Sequence, residues 1–258
     1  MTPRLAAIDL DGTLLRSDGS VSARTASALR ATPLEIVLVS ARGPRGVAEI
    51  VDAAGLAGTA IASNGGAVLD LETRTIRSVR AIETEVALRL VKGMRERLPG
   101  ILFGVERDSF AHEEGFAAWN WTPPPGTRIG DALDLLDSPP TKLILRHEGH
   151  TLDVIAAVAR ELAGDAASVY ISGTWVVEMS AAGVNKAAAL AEVCDERGIA
   201  AADVIAFGDY LNDLPMLAWA GRAVAVANAH PDVIDAADEV TASNDEDGVA
   251  VVLERLSA

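Results

Sequence analysis

The stretch Leu5-Ala6-Ala7-Ile8-Asp9-Leu10-Asp11-Gly12-Thr13 decides the fold: a short apolar run ends in two acids, and a glycine follows. An apolar run of this length bounded by polar residues reads as a buried strand. Alternate residues of a strand share a face, so Asp9 and Asp11 can converge on one spot at the C-terminal edge of a sheet. Open α/β sheets bind ligands at that edge. Two adjacent carboxylates repel and require a cation, a shared proton or separation. A Mg²⁺ ion meets that need and also binds phosphate oxygens. Taken alone, the same residues also read as an acidic turn closed by Gly12.

Working outward, residues 35–40 (EIVLVS) form a second buried strand, and residues 60–63 a third before Asn64-Gly65-Gly66. Ser22 suits the cap of a helix running to Ala31. Pro44 suits the first turn of another, with Gly55 at its C-terminal side. This alternation predicts an α/β fold, a Rossmann-like parallel-sheet core with helices on both faces. Residues 67–82 change character: 68–71 and 75–79 read as a hairpin. An amphipathic helix over 82–98, strands at 101–106 and 142–146, a helix over 152–163 and a hairpin at 169–171 and 175–179 follow. Residues 111–140 read as a loop with short helical pieces. After Gly183 the first style returns, with a helix over 185–197, a strand at 204–207, a helix over 211–220, a strand at 223–226 and a helix over 249–256. The expected layout is a discontinuous core over 1–82 and 183–258 with an α+β cap over 83–182.

Four short motifs occur in order, each where a strand ends or a helix starts: Asp9-Leu10-Asp11-Gly12-Thr13, Ser40 in Val39-Ser40-Ala41-Arg42, Lys186 in Gly183-Val184-Asn185-Lys186, and Gly208-Asp209-Tyr210-Leu211-Asn212-Asp213. Together they resemble the motif set of the haloacid-dehalogenase superfamily. Asn64-Gly65-Gly66, Asn228-Ala229 and the tail from Ser243 to Val249 resemble its Cof-type branch, which carries its cap after the third core strand. The chain departs from that branch at Ala41, where glycine is usual.

The resemblance implies a Mg²⁺-dependent phosphatase. Asp9 is then the nucleophile that forms an aspartyl-phosphate. Asp11 protonates the leaving oxygen and later deprotonates water, with Thr13 helping to tune it. Ser40 donates to a phosphate oxygen, and Lys186 neutralises phosphate and Asp9 together. Asp9, Asp209, Asp213 and the backbone carbonyl of Asp11 make the metal set. Thr13, Ala41, Asn64 and Asn212 complete the substrate-binding set with Ser40 and Lys186. Each residue also has a plainer reading. Ser40 could cap a turn, Lys186 could be solvated, Asp213 could answer the helix dipole, and Asn64 could be a turn residue.

The chain has 258 residues, half of them apolar, with 22 Lys and Arg against 37 Asp and Glu, a formal charge of −15. Such a surface repels nucleic-acid backbones. No apolar run reaches the length needed to span a bilayer. The N-terminal apolar run is too short for a signal peptide. The single cysteine, Cys194, excludes an internal disulfide and reads as a small core residue on a helix. The expected setting is cytoplasmic, as a monomer or small homo-oligomer, with a small phosphorylated metabolite such as a sugar phosphate as partner. Selectivity is expected in the cap, where Trp119, Trp121, Arg107, His112, Glu113, Glu114, Arg128 and Arg146 are either contacts or ordinary core and surface residues. Loops near Ile82 and Gly183 suit a hinge. The alternative within the superfamily is a phosphomutase. A dehalogenase leaves Asp11, Asp209 and Asp213 without purpose. A phospho-acceptor module is about half this length, and a non-catalytic binding protein does not need the acids intact.

Overall fold

A computed structural model describes residues 3–117, 123, 126–172 and 175–257. Trp119 and Trp121 lie outside the described residues. The chain divides into two compact units, Met1–Ser78 with Asn185–Ala258, and Val79–Val184.

In chain order the elements are β1 (Leu5–Asp9), α1 (Ala23–Ala31), β2 (Glu35–Val39), α2 (Pro44–Ala54), β3 (Thr59–Ala62), β4 (Ala67–Asp70) and β5 (Thr75–Val79). Then come α3 (Thr84–Arg97), β6 (Leu102–Glu106), β7 (Phe110–His112), β8 (Arg128–Ile129), α4 (Ala132–Leu135), β9 (Lys142–Arg146), α5 (Leu152–Ala163), β10 (Ala167–Ser172) and β11 (Val176–Ala181). The chain ends with α6 (Lys186–Glu196), β12 (Val204–Gly208), α7 (Leu214–Trp219), β13 (Arg222–Ala225), α8 (Pro231–Ala236), β14 (Glu239–Val240) and α9 (Gly248–Ser257).

The first unit is built on an eight-stranded sheet in the order β14-β13-β12-β1-β2-β3-β4-β5. From β14 to β3 the strands are parallel, and β4 runs antiparallel to β3. β1 is buried on both faces. Ala6, Ile8 and Leu10 pack with Leu29 of α1, Val47 of α2 and Leu253 of α9. Leu5 and Ala7 pack on the other side with Leu190 of α6, Met216 of α7 and Val233 of α8. Continuous apolar runs are what a parallel sheet covered on both faces demands. Cys194 is part of the second cluster, as expected, and burial pushes its thiol up to about 11, so it is an inert core residue.

The strand order places a topological switch between β1 and β12, because the chain leaves β1 toward β2 on one side and later fills β12, β13 and β14 on the other. A crevice opens at such a point, at the C-terminal ends of the strands. The register pairs Ile8 with Phe207 and Asp9 with Val39. It therefore brings Asp9, Ser40 and Asp209 to the same edge.

The second unit has a six-stranded sheet in the order β10-β11-β9-β6-β7-β8. One face packs on α3 and α5 through Leu90, Met94, Phe103, Leu145, Ile155 and Met179. On β9, β6 and β11, Lys142, Glu106 and Glu178 are buried together, with Lys142 Nζ donating to Glu178 at 2.8 Å and 3.6 Å from Glu106. The 111–140 stretch is not all loop: β7, β8 and α4 lie in it. Several charges there tie loops down. Arg107 donates to the carbonyls of Leu135 and Ser138, and Arg146 to those of Gly115 and Phe116. Glu113 is buried and accepts from the Phe103 and Ala132 amides at 2.9 and 3.0 Å and from Arg95. No described helix is long and apolar enough to cross a membrane.

Phe207 is fully buried on β12, one residue before the strand's last glycine. Phe207→Ala is expected to destabilise the first unit by about 3–5 kcal/mol through lost burial and the cavity left behind. Urea unfolding checks this, and a loss under about 1 kcal/mol would contradict the packing described.

Candidate active site

Strand ends carry the chemistry. Asp9 closes β1, and Ser40 follows β2 by one residue. Asp209 follows β12, and Asp213 closes the 3-10 turn Leu211–Asp213 before α7. Lys186 is the first residue of α6, whose cap is Asn185, with its side chain accepting from the Ala188 amide at 2.9 Å.

These residues meet. Lys186 is buried, and its Nζ donates to Asp9 Oδ1 at 2.6 Å and to Asp213 Oδ1 at 2.5 Å. A buried ammonium at a helix N-terminus works against the helix dipole, and burial alone favours its neutral form. The charges of Asp213 and Asp9 outweigh burial and hold its pKa above the ordinary lysine value. The other oxygen of Asp213 accepts the amides of Asp209 and Tyr210 at 3.1 and 3.0 Å, which folds the turn on itself. Gly208 makes room for this: a Cβ there would lie 2.6 Å from that of Asp213.

Asp209 is fixed from the other side. Thr13 Oγ1 donates to its Oδ1 at 3.1 Å. Gly12 takes a left-handed φ of 83°, and a Cβ there would lie 2.3 Å from Asp209 Oδ2. Only glycine satisfies both constraints. The Gly12 carbonyl also accepts from Asn228 Nδ2 at 2.8 Å.

Three carboxylates, Asp9, Asp209 and Asp213, each place an oxygen within 4.8 Å of the others. Among the described residues the Lys186 ammonium faces them, paired with Asp9 and Asp213. Burial, then the charge of Asp213, raises Asp9 well above the ordinary carboxylate range, Lys186 offsetting part of it. Burial and Asp213 likewise push Asp209 up to about 6. Asp9 Oδ2 is buried and has no hydrogen-bond partner among the described residues. An oxygen-rich, electron-rich cluster with an unsatisfied carboxylate oxygen fits a hard divalent cation such as Mg²⁺. Asp9 and Asp209 offer the freer oxygens, since both oxygens of Asp213 already accept hydrogen bonds.

On the β2 side, Ser40 is buried, and its Oγ accepts the Arg42 amide at 3.0 Å, which leaves its own proton to donate outward. The Ser40 carbonyl accepts the Asn64 amide at 3.0 Å, and Asn64 Oδ1 accepts from Asn212 Nδ2, also at 3.0 Å. Ser63 and Asn64 both take left-handed backbone, φ 52° and 55°, which is costly for serine. Ala41 links Ser40 to Arg42. The structure brings Asp9, Lys186, Asp209, Asp213 and Thr13 together and links Ser40 through Asn64 to Asn212; the Asp11 side chain is placed apart. The Asp11 carboxylate stays out of the acid cluster and faces Arg42, which donates to it from Nε at 2.8 Å and Nη2 at 2.6 Å. The expected contribution of Asp11 to an ion is through its backbone carbonyl, not this carboxylate. Sequence reasoning places Arg42 beside Ser40 but gives it no role, and gives Asn228 none beyond a family likeness.

A family profile for haloacid dehalogenase-like hydrolases matches residues 6–253. A phosphoglycolate phosphatase from Halorubrum lacusprofundi is 30% identical over 98% of this chain and 96% of its own. A 5-amino-6-(5-phospho-D-ribitylamino)uracil phosphatase from Bacillus subtilis is 49% identical over 74 residues, 29% of this chain and 30% of that protein. A solved haloacid dehalogenase-like hydrolase from Bacteroides thetaiotaomicron superposes with a TM-score of 0.81 at 26% identity, covering 98% of this chain and 99% of that one.

The raised acids make a signed prediction. Asp209 rises from 3.8 to about 6, so the folded state holds a proton that the unfolded chain releases in that range. Its stabilising contribution is present below about pH 3.8 and lost as pH climbs through about 6. Ionised carboxylates are also what a cation requires. Mg²⁺ is therefore expected to raise the melting temperature more at about pH 7.5 than at about pH 4.5. Equal shifts at both pH values would contradict this.

Proposed function

The chain belongs to the haloacid dehalogenase-like hydrolases, and we propose that it is a Mg²⁺-dependent phosphatase of small phosphate monoesters, sugar phosphates or similar metabolites, working through an aspartyl-phosphate on Asp9. The observation that carries this is the buried Asp9 carboxylate, with one oxygen fixed by Lys186 and the other without a donor among the described residues. The phosphorylated small molecules in the names of its relatives support the substrate class.

In this reading Asp9 Oδ2 attacks phosphorus as the bond to the ester oxygen breaks. Asp11 gives its proton to that oxygen, and the alcohol leaves. Water then attacks the phosphorus of the aspartyl-phosphate, Asp11 takes up its proton, and phosphate and a free Asp9 carboxylate result. Lys186 and the Ser40 hydroxyl stabilise charge on the phosphoryl oxygens, the main task in phosphoryl transfer. Asn64 and Asn212 orient the group from the β3 side, and Thr13 keeps Asp209 turned inward. Bound at Asp9, Asp209 and the Asp11 carbonyl, with Asp213 behind, Mg²⁺ would supply positive charge for the phosphate oxygens.

Phosphate release from a panel of phosphate esters tests this reading. Turnover is expected with Mg²⁺, none with a chelator, and a loss of at least about 1,000-fold in Asp9→Asn. Undiminished turnover in Asp9→Asn would contradict the assignment.

A further inference from the structure

We propose that Arg42 is the positioning residue of Asp11: its guanidinium fork aims the carboxylate for proton transfer to the leaving oxygen, so that cleavage of esters with poor leaving groups depends on it. This rests on the phosphatase reading, since it assumes that Asp11 is the acid.

The fork is planar and two-pointed, Nε to Oδ2 at 2.8 Å and Nη2 to Oδ1 at 2.6 Å. Such pairing fixes a carboxylate in direction as well as in distance. Stability does not explain it. The two side chains are 42% and 49% exposed, and an ion pair this wet adds little to folding. Arg24 and Glu254 make a similar fork on the surface. The Arg42 pair differs in what anchors it. The Arg42 amide donates to Ser40 Oγ at 3.0 Å, and its carbonyl accepts the Ser63 amide at 2.8 Å. Its stem runs over Gly46 in the first turn of α2, where a Cβ would lie 3.5 Å from Arg42 Cβ and 3.7 Å from Cδ. The hydroxyl proposed to face phosphate thus also fixes the backbone of the residue that grips Asp11.

A two-pointed grip can open by one point. When Oδ1 carries the proton and turns to the leaving oxygen, it gives up Nη2, while Oδ2 still accepts from Nε. The acid moves without losing its aim. A lysine ammonium is a point charge and cannot hold one oxygen in a fixed plane while releasing the other. An alkoxide leaving group needs that proton as the phosphorus–oxygen bond breaks, whereas p-nitrophenolate leaves without it.

The test compares wild type, Arg42→Ala and Arg42→Lys on p-nitrophenyl phosphate and on glycerol 2-phosphate, with Asp9→Asn as control. In Arg42→Ala the ratio of kcat on the alkyl ester to kcat on the aryl ester is expected to fall about 100-fold, the scale of general-acid catalysis. In Arg42→Lys, which keeps charge and stem, the ratio is expected to fall about 10-fold. If Arg42→Ala does not fold, the lysine variant alone decides. Equal losses on both esters would make Arg42 a phosphate-binding or structural residue and overturn the proposal, as would no loss. A wild type that cleaves the aryl ester but not the alkyl one lacks the acid and overturns it too. If wild type cleaves neither ester, or Asp9→Asn cleaves both, the phosphatase reading itself falls and takes this proposal with it. A flat ratio beside an inactive Asp9→Asn overturns the Arg42 proposal alone.

Discussion

The Lys186 ammonium lies between the carboxylates of Asp9 and Asp213, all three side chains closed off from water. Its partners are 177 and 27 residues away in sequence. Burying an ion is expensive, and removing one partner of a buried pair leaves an uncompensated charge. The bridge therefore constrains the rest of the first unit: β1, the turn after β12 and the start of α6 have to arrive at one point. Surplus negative charge remains once the bridge forms, because Asp209 joins the same cluster. Repulsion within a buried acid cluster raises pKa values, and Asp9 and Asp209 both respond in that direction. A buried acid cluster with raised pKa values beside a fixed ammonium is a candidate functional site.

The sheet makes that convergence possible. β1 lies between β2 and β12, so strand ends from distant parts of the chain open onto one crevice. The polar groups there are held mainly by backbone: Asp213 by the amides of its own turn, Ser40 by the Arg42 amide, Asn64 by the Ser40 carbonyl. Backbone contacts of this kind fix side chains before any ligand arrives, which is what electrostatic stabilisation of phosphoryl transfer needs. Glycine at positions 12 and 208 lets the two acid-bearing loops approach within contact of each other and of the turn.

Much of this is legible in the sequence, and the reason is physical. Strands buried on both faces read as unbroken apolar runs, so β1, β2, β3 and β12 stand out, and acids at their C-terminal ends fall where such sheets bind ligands. Short elements carry no period. The two residues of β14 and the six of α8 escape a reading by pattern for that reason, as do β7 and β8 in a stretch rich in proline and glycine. The left-handed Ser63 is equally hidden, since nothing local favours it and the surrounding hydrogen bonds impose it. Charges are legible as charges but not in their partners. Arg107 and Glu113 read as substrate contacts or as ordinary core and surface residues, and the loops they brace are not written in their spacing. The grip of Arg42 on Asp11 depends on where α2 begins and how a long side chain lies along it, which spacing does not encode.

The central claim is that Asp9 Oδ2 is the reactive atom beside a divalent ion and the Lys186 bridge. A crystal structure grown with Mg²⁺ and beryllium fluoride, which caps a reactive carboxylate as a phosphoryl group does, tests it most directly. The account predicts beryllium bonded to Asp9 Oδ2, an ion in contact with Asp9 and Asp209, and Lys186 still between Asp9 and Asp213. Beryllium on another residue, or an ion bound away from Asp9, would contradict it.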